Sequence, residues 1–253
     1  MAGLADRKSL AWLSVAVFVL WGGSLTGGGA PAAAQTVAID NNDIGGVVTG
    51  QNGPEAGVWV IAETKDLGTR YVKAVVTDDQ GRYVLPDLPS ANYEIWVRGY
   101  GLVDSPKMRS GPGRNLNLTS VAAPNETLAA QYYPAIHWYS MMKIPGKDQF
   151  GGKSDIPAKI KQTEYLNIVK NRSCVGCHQI GGLYTRTIPH KFGTGADGWM
   201  RRTQSGQAGG NMTGQLAGKL AGVPYKYLGD WTDSIARGAL PHTKPTRPQG
   251  VER

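Results

Sequence analysis

Two cysteines and a histidine lie together in the second half of the chain. Cys174 and Cys177 are the only cysteines in 253 residues, and His178 directly follows the second one. In this order both thiols can add to the vinyl groups of one porphyrin, while the adjacent imidazole takes an axial position on its iron. The pattern predicts covalent attachment of one haem c, with Cys174 and Cys177 as attachment sites and His178 as the proximal iron ligand.

Three other uses of the cysteine pair remain open from the residues alone. A structural zinc site normally has four ligands, and the chain has no third cysteine. A thioredoxin-type dithiol lies at the end of a strand in a βαβ unit, whereas the residues before Cys174 are typical of a helix. A disulfide suits an exported protein but leaves His178 without a role. Haem attachment is the interpretation that uses all three side chains.

The start of the chain has the features of an export signal. Arg7 and Lys8 precede an apolar run from Leu10 to Trp21, and Ala32-Ala33-Ala34 offers small residues for cleavage. The run is shorter than the roughly twenty residues that a membrane-spanning helix needs. We expect residues 1–34 to be a bacterial signal peptide, and the mature protein to be periplasmic with no membrane span after cleavage.

Charge divides the chain into two unlike parts. Residues 35–130 carry 8 basic and 11 acidic side chains, a net charge of −3, whereas residues 131–253 carry 17 basic and 7 acidic ones, a net charge of +10. Because opposite charge steers diffusional encounter, the basic part predicts an acidic periplasmic redox protein as partner. A solvated basic surface without a partner is the alternative. Nucleic acid is not expected, since the chain lacks a known binding motif.

Residues 37–120 show short apolar alternations between turn signals, and the helical period is missing there. On one face of the alternation we place Val58, Val60 and Ala62, and later Tyr93, Ile95 and Val97. A tight hairpin is predicted at Asp78–Gly81, where the glycine supplies a positive φ. The predicted strands cover residues 44–49, 58–64, 71–77, 82–85 and 93–98. The pattern is typical of an all-β sandwich.

This region resembles the carboxypeptidase-regulatory-like (transthyretin-like) family, which has a carbohydrate-binding-like fold. The resemblance rests on Ile44-Gly45-Gly46-Val47-Val48, Thr77-Asp78-Asp79-Gln80-Gly81-Arg82-Tyr83, and Leu88-Pro89 ahead of Tyr93-Glu94-Ile95. Asn92 stands where the family often has glycine, and asparagine tolerates the same left-handed turn. The resemblance implies a structural or adhesive spacer, and some relatives bind sugars. The rings that could stack on a carbohydrate, with core packing as the alternative, are Tyr71, Trp96 and Tyr100.

The remainder of the chain is predicted to be mainly helical. Residues 121–161 are interpreted as a connector, with a helix over 128–142 that Pro134 interrupts or bends and a Gly/Pro-rich loop after it. Its apolar stripe is Leu128, Tyr132, Ile136 and Tyr139. Residues 162–253 are interpreted as the haem domain, with Gly181-Gly182 leaving room beside the macrocycle. Its predicted helices cover residues 162–171, 196–204 and 225–236, with a glycine-rich loop over 206–211.

The helical arrangement resembles a small class I cytochrome c. In that family the second axial ligand is a methionine on a loop well after the attachment motif, which implies Met212 as the distal iron ligand. Met200 and His190 are the second and third candidates, and an open or water-bound iron is the fourth possibility. The arginines that could reach the haem propionates, solvent exposure being the alternative, are Arg186, Arg201 and Arg202.

Together the two parts resemble exported bacterial proteins in which a carboxypeptidase-regulatory-like domain precedes a cytochrome c domain. Relatives often continue into a β-propeller, so the chain is interpreted as a short member or as the front part of a longer protein. The expected function is single-electron transfer, not catalysis, because no Ser/His/Asp, paired-carboxylate or phosphate-loop arrangement is found. The alternatives are a carbohydrate- or wall-binding module with an accessory haem, and the front of a propeller-containing enzyme.

Overall fold

The first part of the chain is built from short strands. The computed structural model describes residues 37–250, so the predicted signal peptide lies outside the described residues. The five predicted strands are confirmed to within one residue at each end. The strands are β1 Ile44–Gly50, β2 Gly53–Pro54, β3 Trp59–Thr64, β4 Tyr71–Val76, β5 Arg82–Leu85, β6 Tyr93–Arg98, β7 Leu102–Val103, β8 Met108–Ser110, β9 Arg114–Asn115, β10 Leu118–Thr119 and β11 Val121–Ala122.

Within residues 37–250 the strands form three sheets, which are mainly antiparallel. β1 is the centre of a five-stranded sheet, where it pairs antiparallel with β2 and β5 and parallel with β9 and β10. A four-stranded antiparallel sheet has the order β4-β3-β6-β8. The third sheet pairs β7 with β11. The chain is therefore mixed, with sheets first and helices after them.

The two larger sheets share one hydrophobic cluster. The predicted inward side chains of β3 and β6 are all buried, and they meet buried side chains from the other sheet. Apolar side chains leave water most completely where two sheet faces meet, which accounts for the burial of this face. The four-stranded sheet contributes Val60, Ala62, Tyr93, Ile95 and Val97, and the five-stranded sheet contributes Ile44, Val48, Tyr83, Leu85 and Leu118.

Two turn predictions have different outcomes. Gly81 has a φ of 73°, as the predicted hairpin requires, and the Asp78 carboxylate accepts hydrogen bonds from the backbone N–H groups of Gln80 and Arg82. The predicted left-handed conformation of Asn92 is wrong. The nearby residue that takes it is Asp87, with a φ of 51°. Its backbone N–H donates to the Asp43 carboxylate, which holds this turn in place.

The second part of the chain contains short helices and no strand among its described residues. Two of these helices continue directly into wider π-helical turns, over 167–171 and 214–219. None of the helices within residues 37–250 combines the length and the apolar character needed to cross a bilayer. The helices are α1 Glu126–Ala130, α2 Ala135–Ser140, α3 Gln162–Leu166, α4 Ser173–Cys177, α5 Leu183–Arg186, α6 Gly195–Thr203, α7 Gly209–Thr213 and α8 Val223–Ala236.

The helix predicted over 128–142 is not continuous, and the interruption predicted at Pro134 is confirmed. The chain forms α1 and α2 instead, and Pro134 separates them because a proline cannot donate the hydrogen bond that would continue the first helix. The predicted apolar stripe is also only half correct. Tyr139 is buried, but Leu128 is 43% exposed and Ile136 is 65% exposed.

A C-terminal tail, residues 239–250, runs back from α8 to the β-rich part. The Arg247 guanidinium pairs with the Glu55 carboxylate and donates to the Tyr100 carbonyl at 3.0 Å. Lys244 pairs with Glu126 at 2.6 Å. The tail therefore joins loop residues of the β-rich part, α1 and the end of α8, and the described residues all belong to one compact unit.

The shared cluster of the two sheets gives a direct stability prediction. Ile95→Ala removes a fully buried side chain, and we expect a loss of about 2–5 kcal/mol in the free energy of unfolding. Val72→Ala is the control, because Val72 on β4 is 46% exposed and its truncation is expected to change stability by less than about 0.5 kcal/mol. Denaturant unfolding measures both values. Equal losses in the two variants would contradict the shared cluster.

Candidate haem-binding site

The Cys-x-x-Cys-His motif forms one short helix. α4 begins at Ser173 and ends at Cys177, and the chain becomes extended at His178. The backbone N–H of His178 donates to the Cys174 carbonyl at 3.1 Å, which closes the turn. Both thiols are free. This helical turn places two thiols and one imidazole on one short stretch of backbone.

These three side chains line a cavity of about 370 Å³. Its size falls in the range of small-molecule sites, which is about 300–1,000 Å³. The lining includes no Asp, Glu, Lys or Arg, and most of it is apolar or aromatic. Besides the motif it consists of Tyr139, Val169, Ser173, Ile180, Trp199, Thr203, Ala208, Asn211, Met212, Gln215, Leu216 and Leu228.

Met212 lies in the same cavity as the motif, although the element that carries it differs from the prediction. Sequence reasoning placed Met212 after a flexible loop, whereas the structure places it inside α7. The loop prediction is correct for residues 206–208 and wrong for residues 209–211, which belong to α7. A helix holds the thioether at a more fixed position than a loop would. The cavity therefore brings together Cys174, Cys177, His178 and Met212.

Both π-helical turns contribute to the cavity wall. Val169 belongs to the turn before the motif, and Gln215 and Leu216 belong to the turn after α7. Such wide turns are uncommon and are frequently found at functional sites. Ser173 Oγ donates to Gln215 Oε1 at 3.4 Å, which links the motif to the segment that follows Met212. Sequence periodicity did not reveal Gln215, because a π-helical turn does not follow the 3.6-residue period.

The aromatic walls turn their polar atoms away to fixed partners. The Tyr139 hydroxyl donates to the Val169 carbonyl, and Trp199 Nε1 donates to Thr232 Oγ1 at 3.1 Å. Since these groups are satisfied within the protein, the rings offer apolar surface to the cavity. Trp199 was missed as a site residue. The sequence feature that could have indicated Trp199 is its position next to Met200 in the helix predicted over 196–204.

The other two ligand candidates lie elsewhere. Met200 borders a different cleft, with Ala196, Asp197 and Tyr225, and is 39% exposed. His190 begins a short 3₁₀ turn and does not line the motif's cavity. Of the three candidates for the distal position, Met212 is the one that shares a cavity with His178.

The three arginines proposed for the propionates are already engaged. Arg186 is buried, donates to the Gly181 carbonyl at 3.0 Å, and lies over the Trp138 ring. Arg201 donates to the Phe192 carbonyl at 2.7 Å, and Arg202 donates to the Thr187 carbonyl at 2.7 Å. None of the three lines the cavity. Arg201 is exposed, as the solvent alternative expects, whereas Arg186 is buried and Arg202 is half-buried. Main-chain carbonyls are partners of all three.

Gly181 has a packing role that differs from the predicted one. Its φ is 96°, and a Cβ at this position would lie 2.0 Å from the Ala135 carbonyl oxygen. The glycine therefore allows the segment after the motif to approach the backbone of α2. The prediction that it leaves room for the macrocycle is wrong, because the space beside it is filled by α2.

Burial affects one thiol and one hydroxyl group near the cavity. Burial raises the pKa of the Cys174 thiol to about 11. The Tyr165 side chain is fully buried, and burial also raises its pKa. The Tyr165 hydroxyl has no hydrogen-bond partner among the described residues. It packs at 6.0 Å from Phe150 and 6.3 Å from Tyr227, measured between ring centres.

The donor set of the cavity fits a haem c. Two free thiols stand three residues apart, one imidazole follows them, and one thioether reaches the same space. His178 is exposed, and its backbone N–H is the group that donates to the Cys174 carbonyl. Within those residues, no group of three or more His, Cys, Asp or Glu side chains converges as a metal site. An apolar wall suits the porphyrin faces, and the thiols suit its vinyl groups.

The aromatic residues considered for carbohydrate stacking are packed against other side chains. Trp96 is only 6% exposed, and Lys107 Nζ lies 4.6 Å from its ring centre. Tyr71 meets Tyr93 edge-on, and Tyr100 lies 4.9 Å from Trp59 in the same manner. These contacts correspond to the packing alternative. Carbohydrate binding by the β-rich part stays a prediction.

The close approach at Gly181 yields a second stability prediction. Gly181→Ala places a methyl group against the Ala135 carbonyl at a left-handed φ, and we expect a loss of about 2 kcal/mol or more in the free energy of unfolding. Gly210→Ala is the matched control, because Gly210 lies in α7 with open space around its Cα. It should be neutral or slightly stabilising. Thermal and denaturant unfolding compare the two, and a neutral Gly181→Ala would contradict this packing.

Comparisons with known proteins add little to this geometry. Neither the family models nor the curated proteins match the chain. One solved structure with partial similarity is described as "Structure of the Streptococcal ancillary pilin". It is 13% identical, covers 33% of this chain and 30% of that chain, and has a TM-score of 0.28. A similarity this low supports no statement about the fold or the activity of this protein.

Proposed function

We propose that the protein is a monohaem c-type cytochrome that carries single electrons to or from a redox partner. The observation that carries the proposal is the shared cavity, in which Cys174, Cys177 and His178 face the same space as Met212. A cysteine, a histidine or a methionine alone would not indicate a haem site. A Cys-x-x-Cys-His motif and a methionine 34 residues later around one apolar cavity are the donor set of a Met/His cytochrome c.

Each part of the cavity has a role in this proposal. Cys174 and Cys177 would hold the haem covalently, and His178 and Met212 would occupy the two axial positions. A haem so bound supplies reversible one-electron chemistry. Val169, Leu216 and Leu228 would give the haem an apolar surrounding, and the low polarity of such a wall is one of the means by which proteins set haem potentials.

The charge around the motif supports an acidic partner. Residues 165–229 carry eight basic side chains and one acidic side chain, Asp197. This stretch contains the motif and all the residues that line the cavity except Tyr139. A field of one sign attracts an oppositely charged partner and raises the rate of encounter. We therefore assign an acidic redox protein as partner, and the periplasm as the compartment of the encounter.

The β-rich part is proposed to be a sandwich of the carboxypeptidase-regulatory-like type. The cluster shared by the two larger sheets and the glycine-containing Asp78–Gly81 hairpin support this proposal. The helical part is proposed to be a cytochrome c domain on the basis of its cavity. In this arrangement the β-rich part acts as a spacer that positions the haem, and the tail contacts of Arg247 and Lys244 hold the two parts together.

The proposal is tested by production in a bacterial host that matures c-type cytochromes. The wild-type protein should gain the mass of one haem and show the spectrum of a low-spin c-type haem. Met212→Ala should keep the covalent haem but lose the low-spin spectrum, because only the distal ligand is removed. Mass spectrometry and optical spectroscopy measure these outcomes.

Met200→Ala is the matched control for Met212→Ala. It removes the same thioether from a different cleft, so its spectrum should equal that of the wild type. A protein without covalent haem under these conditions would overturn the proposed function. An unchanged spectrum in Met212→Ala would remove Met212 from the ligand set and leave covalent attachment in place.

Electron transfer should depend on the sign of the partner's charge. We expect oxidation of the reduced protein by the hexacyanoferrate(III) anion to slow by about tenfold or more from low to high ionic strength, because salt screens the attraction. Oxidation by a cationic cobalt(III) phenanthroline complex should accelerate over the same range. Stopped-flow spectrophotometry measures both rates. The same salt dependence for the two oxidants would contradict a role for the basic surface.

A further inference from the structure

The two aromatic residues of the cavity wall each carry a cation on the ring. Lys170 Nζ lies 3.7 Å from the centre of the Tyr139 ring and donates to the Tyr139 carbonyl at 3.2 Å. The guanidinium carbon of Arg202 lies 5.3 Å from the centre of the Trp199 ring. The negative face of an aromatic ring attracts a cation at such distances. Two positive charges therefore stand one ring away from the cavity.

No carboxylate neutralises these two charges within the described residues. None of the ion pairs there includes Lys170 or Arg202. The partners of Arg202 are the carbonyls of Tyr184 and Thr187, and that of Lys170 is the Tyr139 carbonyl. Burial lowers the pKa of both groups, so they are partly withdrawn from water. Carbonyl oxygens and ring faces both bind the protonated form, which keeps the charges in place.

The lack of charged residues in the cavity lining strengthens the effect of Lys170 and Arg202 on a group inside the cavity. The cavity lining has no Asp, Glu, Lys or Arg, so no charge within the cavity wall screens those of Lys170 and Arg202. Charges interact more strongly through a medium of low polarity than through water, and salt screens buried charges less. A group in the cavity that accepts an electron becomes more negative by one unit. The two cations favour that reduced form over the oxidised form.

We propose that Lys170 and Arg202 raise the reduction potential of the haem bound in this cavity, acting from behind the Tyr139 and Trp199 rings. This inference rests on the proposed function, because it requires the haem. Neither residue needs to contact the haem. Their part is electrostatic, and the two rings separate them from the cavity.

The test is the midpoint potential of holoprotein variants. Lys170→Met and Arg202→Met keep most of the aliphatic stem and remove the charge. Each should lower the equilibrium constant for reduction by about threefold to tenfold, and tenfold corresponds to about 59 mV for one electron. Lys170→Arg and Arg202→Lys keep the charge and should retain the wild-type potential. Spectroelectrochemical titration measures all four variants, and circular dichroism confirms their folding.

Lys191→Met is the matched control. Lys191 is exposed, and its ammonium group lies 4.9 Å from the Phe192 ring centre, but Phe192 does not line the cavity. The variant removes the same charge from the same type of contact in the same part of the chain. Its potential should stay close to that of the wild type.

The outcomes separate this inference from the proposed function. A wild-type protein without covalent haem overturns both. A haem protein whose potential is the same in wild type and Lys170→Met overturns the inference alone. Equal shifts in Lys170→Met and Lys191→Met would assign the effect to net charge, and an equal shift in Lys170→Arg would assign it to packing. Either of these results also overturns the inference.

Discussion

The site depends on the packing of two segments that are far apart in the chain around one apolar space. The motif helix contributes thiols and an imidazole, and the segment from Ala208 to Leu216 contributes the thioether. Neither segment could hold this arrangement alone, because α4 and α7 have five residues each and isolated helices of that length are unstable in water. Their positions are set by the longer helices α6 and α8. These approach closely where a Cβ on Gly229 would lie 2.4 Å from the Gly195 carbonyl carbon.

Much of the β-rich part could be predicted because the pattern that indicates a strand lies within a few neighbouring residues. Alternation of apolar residues identified β3 and β6 and assigned their buried faces, since a strand exposes its two faces with a period of two residues. The helical part was harder to predict. Gly206 to Asn211 has the composition of a loop, yet its last three residues belong to α7, because packing against the cavity wall outweighs the low helix propensity of glycine. The break between α1 and α2 could be predicted from Pro134. The exposure of Ile136 could not be predicted from the sequence.

The residue types of the candidate site could be read from the chain, whereas their surroundings could not. The motif identified three side chains by spacing alone, and Met212 followed from a family resemblance. The three arginines were predicted to lie near the haem propionates because of their charge. In the structure all three donate to backbone carbonyls, and Arg186 and Arg202 also lie over aromatic rings. Such contacts depend on where a turn lies in space. Arg202, for example, is 15 residues from one carbonyl partner and 18 from the other.

The return of the tail to the β-rich part couples the two parts thermodynamically. The Arg247 guanidinium joins a carboxylate of the first sheet region, while Leu240 packs in the small cluster around Trp138. Detaching this tail exposes apolar surface on the helical side and leaves Glu55 without its cation on the other. Unfolding of one part therefore removes contacts that the other part uses, which couples the global unfolding of the two parts. The protein is thus expected to behave as one cooperative unit although it has two separate hydrophobic cores.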